Sequence, residues 1–281
     1  MKRDTMNGNT FLHLACKIND LEIAKLILSR SNVDCKEDQD RSFLKDIKIE
    51  FPGFGRSKKN EITDLALLQN YRGETPIHLA ILTKNVELLS IFEIRKQRVL
   101  LIKDVQGENP LFYAARTSKT EIFNWFYMVE SGSQSDYFKA RGDQNYKGQT
   151  IEHIVCMARE PESDIYSAIK PRPDITDYYG NLPIFYALMR NDAPLIQEMY
   201  KKQKDYFTLR NYKNQSIFHV AAKNNALDAI KILIDIHVFS DELVKKDYNG
   251  NTPLHVAKKK QNRIIYDYFL ENIPENGKQV F

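Results

Sequence analysis

The chain repeats itself at an interval of roughly 33 to 34 residues, and that period constrains its fold more than any other feature. The fragments GNTFLHLA, GETPIHLA, GQTIEHIV, NQSIFHVA and GNTPLHVA place His13, His78, His153, His219 and His255 in one local context, and Phe112 and Phe185 hold the same place in two further copies. Successive anchors are 65, 34, 41, 32, 34 and 36 residues apart. From the second copy on, each opens on a polar tetrad with turn chemistry, such as NYRG (70–73), DVQG (104–107), NYKG (145–148), DYYG (177–180), NYKN (211–214) or DYNG (247–250). A hydroxyl residue, often a proline, and a small-residue run then predict a short helix; Thr252 suits its N-cap and Pro253 its first position. After a polar break such as KNN or RND, paired apolar positions such as Ala229, Ile230, Ile232 and Leu233 predict a second, amphipathic helix. Such a unit cannot bury its apolar stripe alone, so neighbours must stack and the core runs along the array.

NTPLHVA and ETPIHLA resemble, almost letter for letter, the signature of the ankyrin repeat family, a turn followed by Thr-Pro-Leu-His-x-Ala at a period of about 33 residues. The resemblance implies an all-α repeat solenoid, an ankyrin repeat stack with β-hairpin-like turns and two larger insertions. The expected organisation is a single ankyrin repeat domain over 1–281, with repeats at about 5–30, 70–103, 104–128, 145–170, 177–210, 211–246 and 247–270. Residues 31–69 and 129–144 read as insertions and 271–281 as a tail. The first insertion covers a missing signature, so a decayed repeat is the alternative; Phe43, Phe51 and Phe54 favour an insertion that partly packs. Its PGFGRSKK stretch lacks phosphate-loop spacing and reads as a flexible basic turn.

A net charge of +4 on 281 residues, with no concentrated basic block, argues against a nucleic-acid binder. Cys16, Cys35 and Cys156 are odd in number and far apart, which excludes a disulfide framework and favours a reducing compartment, hence a cytoplasmic setting. No apolar run approaches the roughly 18 residues of a membrane span.

Recurrent histidines could signal metal binding or acid–base chemistry. Their company points elsewhere. Thr10, Thr75, Thr150, Ser216 and Thr252 stand three residues before the five repeat histidines, whereas the copies with Phe112 and Phe185 carry Asn109 and Leu182 there. Hydroxyl and imidazole come and go together, as expected of an N-cap and a third helical residue that exchange hydrogen bonds in the manner of a capping box, with His in place of Glu. Family resemblance adds that this His ties adjacent turns together. Position twelve of each unit is apolar in Cys16, Ile81, Ala115, Cys156, Leu188 and Ala222 but is Lys258 in the last, which reads as a polar end to the stack.

The resemblance also places partner contacts at the second, third, fifth, thirteenth and fourteenth positions of each unit. In repeats two to seven these hold the tyrosines Tyr71, Tyr146, Tyr178, Tyr179, Tyr212 and Tyr248. Arg72, Arg116, Lys147, Arg190, Lys213 and Lys223 bring positive charge, as do Lys259 and Lys260 at the end of the array, against the two acids Glu74 and Glu108. Tyr and Arg dominate interface hot spots, although the tyrosines could equally form a packing ladder between turns. The expected partner is a protein or peptide, acidic or phosphorylated, bound on a concave face by a monomer. No H-E-x-x-H, G-x-S-x-G, Walker loop or C-x-x-C occurs, and Cys156 beside His153 falls on framework positions, so no catalytic, cofactor or metal site is expected. The reading is a non-catalytic interaction module. The alternative is a targeting or regulatory domain of a larger enzyme or channel, and the irregular insertions suggest an effector that acts on a host protein in the host cytoplasm.

Overall fold

Hydroxyl and amide residues at helix entrances, and residues held in left-handed backbone at helix exits, cut this chain into short helices. In the computed structural model the described residues are 3–31, 64–95, 99–127, 134–158, 165–169, 172, 174–202, 204–236 and 240–273, and among them there are helices and turns but no strand. Most of the insertion expected at 31–69, part of that at 129–144, most of the tail, Cys35 and His237 lie outside the described residues. The chain divides into two compact units, Met1–Tyr146 and Lys147–Phe281.

In the first unit the short helices Phe11–Lys17, Pro76–Leu82 and Pro110–Thr117 stack in succession. Each is followed by a second helix, at Leu21–Ser31, Val86–Leu89 (continuing as a 3-10 turn over Ser90–Arg95) and Thr120–Tyr127. A further helix, Gln134–Gly142, occupies part of the expected second insertion, and Leu65–Leu67 forms a single 3-10 turn capped by Asp64. In the second unit Ile151–Met157, Pro183–Met189, Ile217–Lys223 and Pro253–Lys259 stack in the same way. Their partners are Ile165–Ala168, Ala193–Lys202, Leu227–Asp235 and Arg263–Asn272.

Small side chains let the short helices close on one another. Ala15, Ala80 and Ala114 in the first unit, and Ala187, Ala221 and Ala257 in the second, are essentially inaccessible. Leu, Ile and Phe from the second helices, among them Leu88, Phe123, Ile230 and Phe269, fill the space behind them and form the apolar core. Position twelve is buried at Cys16, Ile81, Ala115, Cys156, Leu188 and Ala222, whereas Lys258 is exposed, as a polar final copy requires.

Between the two helices of a pair one residue takes left-handed backbone: Asn19, Lys84 and Ser118 in the first unit, Asn191, Asn225 and Gln261 in the second, with φ between 53° and 61°. This reverses the chain in a single step and releases the last turn of the short helix. Asn tolerates that conformation; Lys84 and Gln261 adopt it although neither side chain favours it.

The turns are hairpin-like without forming strands. Backbone N–H groups of Asn70, Asp104, Asp177 and Asp247 donate to the carbonyls of Glu74, Glu108, Asn181 and Asn251 at 2.8–3.0 Å. The opening Asn or Asp side chain then accepts two more N–H bonds inside its own turn; for Asp177 these come from Tyr179 and Asn181 at 2.9 and 2.8 Å. An acceptor oxygen at that position explains why each tetrad begins with Asn or Asp.

Candidate functional site

The five repeat histidines are structural. In every one the imidazole Nδ1 sits 2.7–3.0 Å from the hydroxyl of the capping Thr or Ser and accepts the backbone N–H of that residue at 3.0–3.4 Å. An Nδ1 that accepts leaves the proton on Nε2. The Nε2–H of His13 donates to the Glu74 carbonyl at 2.9 Å, that of His153 to Asn181 at 3.0 Å and that of His219 to Asn251 at 2.9 Å. Each of these rings therefore caps its own helix and clasps the following turn. His78 is fully buried and its Nε2 makes no hydrogen bond of good geometry. Burial holds the imidazoles of His13, His153 and His219 below their ordinary range and pushes that of His78 down to about 4. Where Phe112 replaces His, Asn109 caps the helix with its own side chain, accepting from the Leu111 N–H at 2.9 Å. Where Phe185 replaces it, Leu182 caps nothing and Pro183 removes one donor.

Cys16 and Cys156 are buried thiols, and burial pushes the first up to about 12 and the second well above its ordinary value. Neither can supply a thiolate at neutral pH. Among the described residues no cluster of His, Cys, Asp and Glu has the makings of a metal site, and no helix is long and apolar enough to cross a membrane.

The tyrosines form the candidate site. Tyr71 and Tyr146 in the first unit, and Tyr178, Tyr179, Tyr212 and Tyr248 in the second, are each 64–77% exposed. Second-position rings do not stack on one another. They lie over the glycine of the preceding turn: Tyr71 on Gly8, Tyr146 on Gly107, Tyr178 on Gly148 and Tyr212 on Gly180. A methyl group added at Gly180 would meet the Tyr212 ring at 2.3 Å and one at Gly148 the Tyr178 ring at 2.5 Å, so glycine is required here for room as well as for φ near +75°. Backbone bonds fix the register, the N–H of Tyr71 donating to Asn7 O at 2.9 Å, Tyr146 to Gln106, Tyr178 to Lys147 and Tyr248 to Lys213. Val105, at the same position, donates to Arg72. The Tyr179–Tyr212 junction lacks this bond, and because Phe185 stands in for His it also lacks the imidazole clasp.

The basic residues divide. Arg116 is paired with Glu108 and lies 5.2 Å above the Tyr113 ring; Arg190 reaches Asp192 at 3.6 Å and the Cys156 carbonyl at 3.5 Å. Both are bound within the fold. Arg72, Lys147, Lys213 and Lys223 are exposed. Fifth-position residues depart from the contact role that the family resemblance gives them: Glu74 and Glu108 are 7% and 3% exposed. Glu74 accepts from the Tyr113 hydroxyl at 3.0 Å and the Asn70 amide at 2.8 Å, and Glu108 accepts from the Asn145 amide at 3.0 Å. In the second unit the fifth positions are Gln149, Asn181, Gln215 and Asn251. Nothing in a single copy reveals this inward turn; the Tyr at position ten that reaches it, Tyr113 or Tyr186, is the one sequence signal.

Two grooves open between turns. In the first unit Asn7, Lys17, Arg72, Glu74, Leu79 and Leu82 surround about 460 Å³. In the second, Tyr179, Met189, Tyr212, Lys213, Gln215 and Lys223 surround about 330 Å³. The structure thus brings Tyr179, Tyr212, Lys213 and Lys223 of the expected contact residues to one place.

Residues 184–279 match a family model described as ankyrin repeats in three copies, and residues 7–38 match a model of the ankyrin repeat. The chain is 24% identical over 210 residues to the NF-kappa-B inhibitor cactus of Drosophila yakuba, and 24% over 208 residues to that of Drosophila melanogaster. Those alignments cover 72% of this chain but only 39% and 38% of the relatives, so the chain spans about two fifths of their length. Among solved structures it superposes on the ankyrin repeat domain of Bcl-3, described as a unique member of the IkappaB protein family, with a TM-score of 0.60 at 19% identity, covering 94% of this chain and 99% of that one. With the repeat models matching near both ends and the same helix-pair stack in each unit, the chain is an ankyrin repeat protein.

Proposed function

We propose that this chain is a non-catalytic module that binds a partner protein or peptide on the Tyr-rich, basic side of its turns, as a monomer in the cytoplasm. One observation carries the reading: large aromatic plates are exposed at the turns, and four of them, Tyr71, Tyr146, Tyr178 and Tyr212, lie against the glycine of the preceding turn. Preorganised Tyr presents contact area at little entropic cost. Relatives named as inhibitors of NF-kappa-B agree with a role in binding proteins. Burial holds the imidazoles of His13, His78, His153 and His219 below their ordinary range and the thiols of Cys16 and Cys156 above theirs, which supports a non-catalytic reading. A second reading, a targeting or regulatory segment of a longer protein, draws on relatives more than twice as long as the aligned region.

The test is site-specific photocrosslinking in lysate, with the photoreactive side chain placed at Tyr179, at Tyr248, or at Lys231 on an outer helix. Capture of a common partner from both tyrosine positions, and not from Lys231, supports the reading. Equal capture from all three rejects it.

A further inference from the structure

We infer that the groove of the second unit, between Tyr179 and Tyr212, recognises a carboxylate-bearing segment, Asp or Glu flanking an apolar residue, and that the groove of the first unit does not. This deepens the proposed function and rests on it.

Charge separates the two grooves. In the first unit Lys17 and Arg72 share their groove with the carboxylate of Glu74, and Arg116 is paired with Glu108, so part of the positive charge is answered from within. In the second unit no carboxylate lines the groove. Amides stand where the acids were, and Lys213 and Lys223 face it uncompensated. Asp177, which opens the turn that carries Tyr179, is spent: one oxygen accepts the N–H groups of Tyr179 and Asn181, and the other accepts the Tyr186 hydroxyl at 2.5 Å. Gln215 adds a neutral donor, since its Oε1 accepts from the Asn211 amide at 3.2 Å and its Nε2 has no partner among the described residues. Met189, 38% exposed, forms an apolar floor between the two Tyr walls. The volume of about 330 Å³ suits one or two side chains.

The donor chemistry selects among anions. The strongest grip on phosphate comes from the fork of Arg, which holds two oxygens at once, whereas Lys meets an anion as a point charge. Arg190 is the nearby guanidinium, and Asp192 and the Cys156 carbonyl already hold it. What remains is two flexible ammonium groups and an amide, a set adequate for carboxylates.

The experiment uses the full chain and three fluorescein-labelled peptides in one Gly-Ser frame, with centres Glu-Glu-Leu-Glu-Glu, Gln-Gln-Leu-Gln-Gln and pSer-pSer-Leu-pSer-pSer, titrated by fluorescence polarisation. The Glu peptide is expected to bind, to weaken about tenfold or more with Lys213→Glu/Lys223→Glu, and to change less than about twofold with Arg72→Glu. The Gln peptide is expected to bind at least about tenfold more weakly than the Glu peptide. Equal affinity of the Glu and Gln peptides, no binding of the Glu peptide up to millimolar concentration, or an equal loss on Arg72→Glu overturns the inference. Tighter binding of the phosphoserine peptide by about tenfold overturns the choice of carboxylate. Because photocrosslinking from Tyr179 and Tyr248 reads partner capture independently of charge, a partner still captured by Lys213→Glu/Lys223→Glu sinks this inference and leaves the module reading intact.

Discussion

The His78 imidazole offers a quantitative check on the capping network. It is fully buried, its Nδ1 accepts from Thr75, and burial holds it at about 4 against an ordinary 6.5. Because the folded state resists protonation, the unfolded chain binds more protons wherever the pH lies below 6.5. The contribution is fully present above that value, falls as pH drops through it and is exhausted near pH 4. A displacement of that size corresponds to about 3 kcal/mol in all, of which about 2 kcal/mol is gone by pH 5. The perturbation is Thr75→Asn/His78→Phe, which transplants the Asn109 and Phe112 cap that the fold already uses one repeat later. Urea unfolding of both chains at pH 7 and pH 5 gives four stabilities. Other ionisable groups are common to both proteins and cancel in the difference. The native chain should lose about 2 kcal/mol more than the variant over this interval. Parallel pH dependences, agreeing to within about 0.5 kcal/mol, would refute the claim that a buried neutral imidazole supports the second repeat.

Three further outcomes follow from the same geometry. Gly180→Ala should cost more than about 2 kcal/mol by thermal or urea unfolding, through left-handed strain and displacement of the Tyr212 ring, and the cost should shrink in a Tyr212→Ala background; an unchanged cost would detach the ring from the glycine. Thr252→Ala and His255→Phe should each destabilise while the double variant costs less than their sum, since the hydroxyl and Nδ1 are 2.7 Å apart; additivity in chemical unfolding would argue against a reciprocal cap. Glu74→Gln should raise stability by up to ~1 kcal/mol in urea, because its amide can donate to the Tyr113 oxygen as Gln149 donates to that of Tyr186 at 3.3 Å; a loss of similar size would show that the carboxylate is required.

The stack and its caps were legible because they are written within single copies: the Thr and His that share a helix entrance, the Asn or Asp that opens a turn, and the Lys258 that ends the apolar twelfth position. What lay between copies was not. That Tyr212 seats on Gly180 depends on how one turn lands on the previous one, and identical letters would have served a ring-on-ring ladder. Glu74 and Glu108 looked like surface acids until Tyr113, Asn70 and Asn145 were seen to receive them inside. The left-handed backbone of Lys84 and Gln261 carries no residue signal, since neither type favours it. Among the proposed contact residues, the engagement of Arg116 and Arg190 by Glu108 and Asp192 was not legible, because the turns and helix ends bring those acids to them.

The junction between Tyr179 and Tyr212 misses two clamps that neighbouring junctions possess, the main-chain bond from one turn to the next and the imidazole clasp. Farther back Asn191 still bridges the two repeats, donating to Asp228 at 2.8 Å and accepting the Ala229 N–H at 2.9 Å, but at the turns one amide pair, Asn211 to Asn181 at 3.3 Å, and apolar contact around Phe185 hold it instead. Contact of that kind slides at little cost where directional bonds would snap. The second unit therefore leaves one pair of turns without a main-chain or imidazole clamp, and it is the pair where Lys213 and Lys223 face outward.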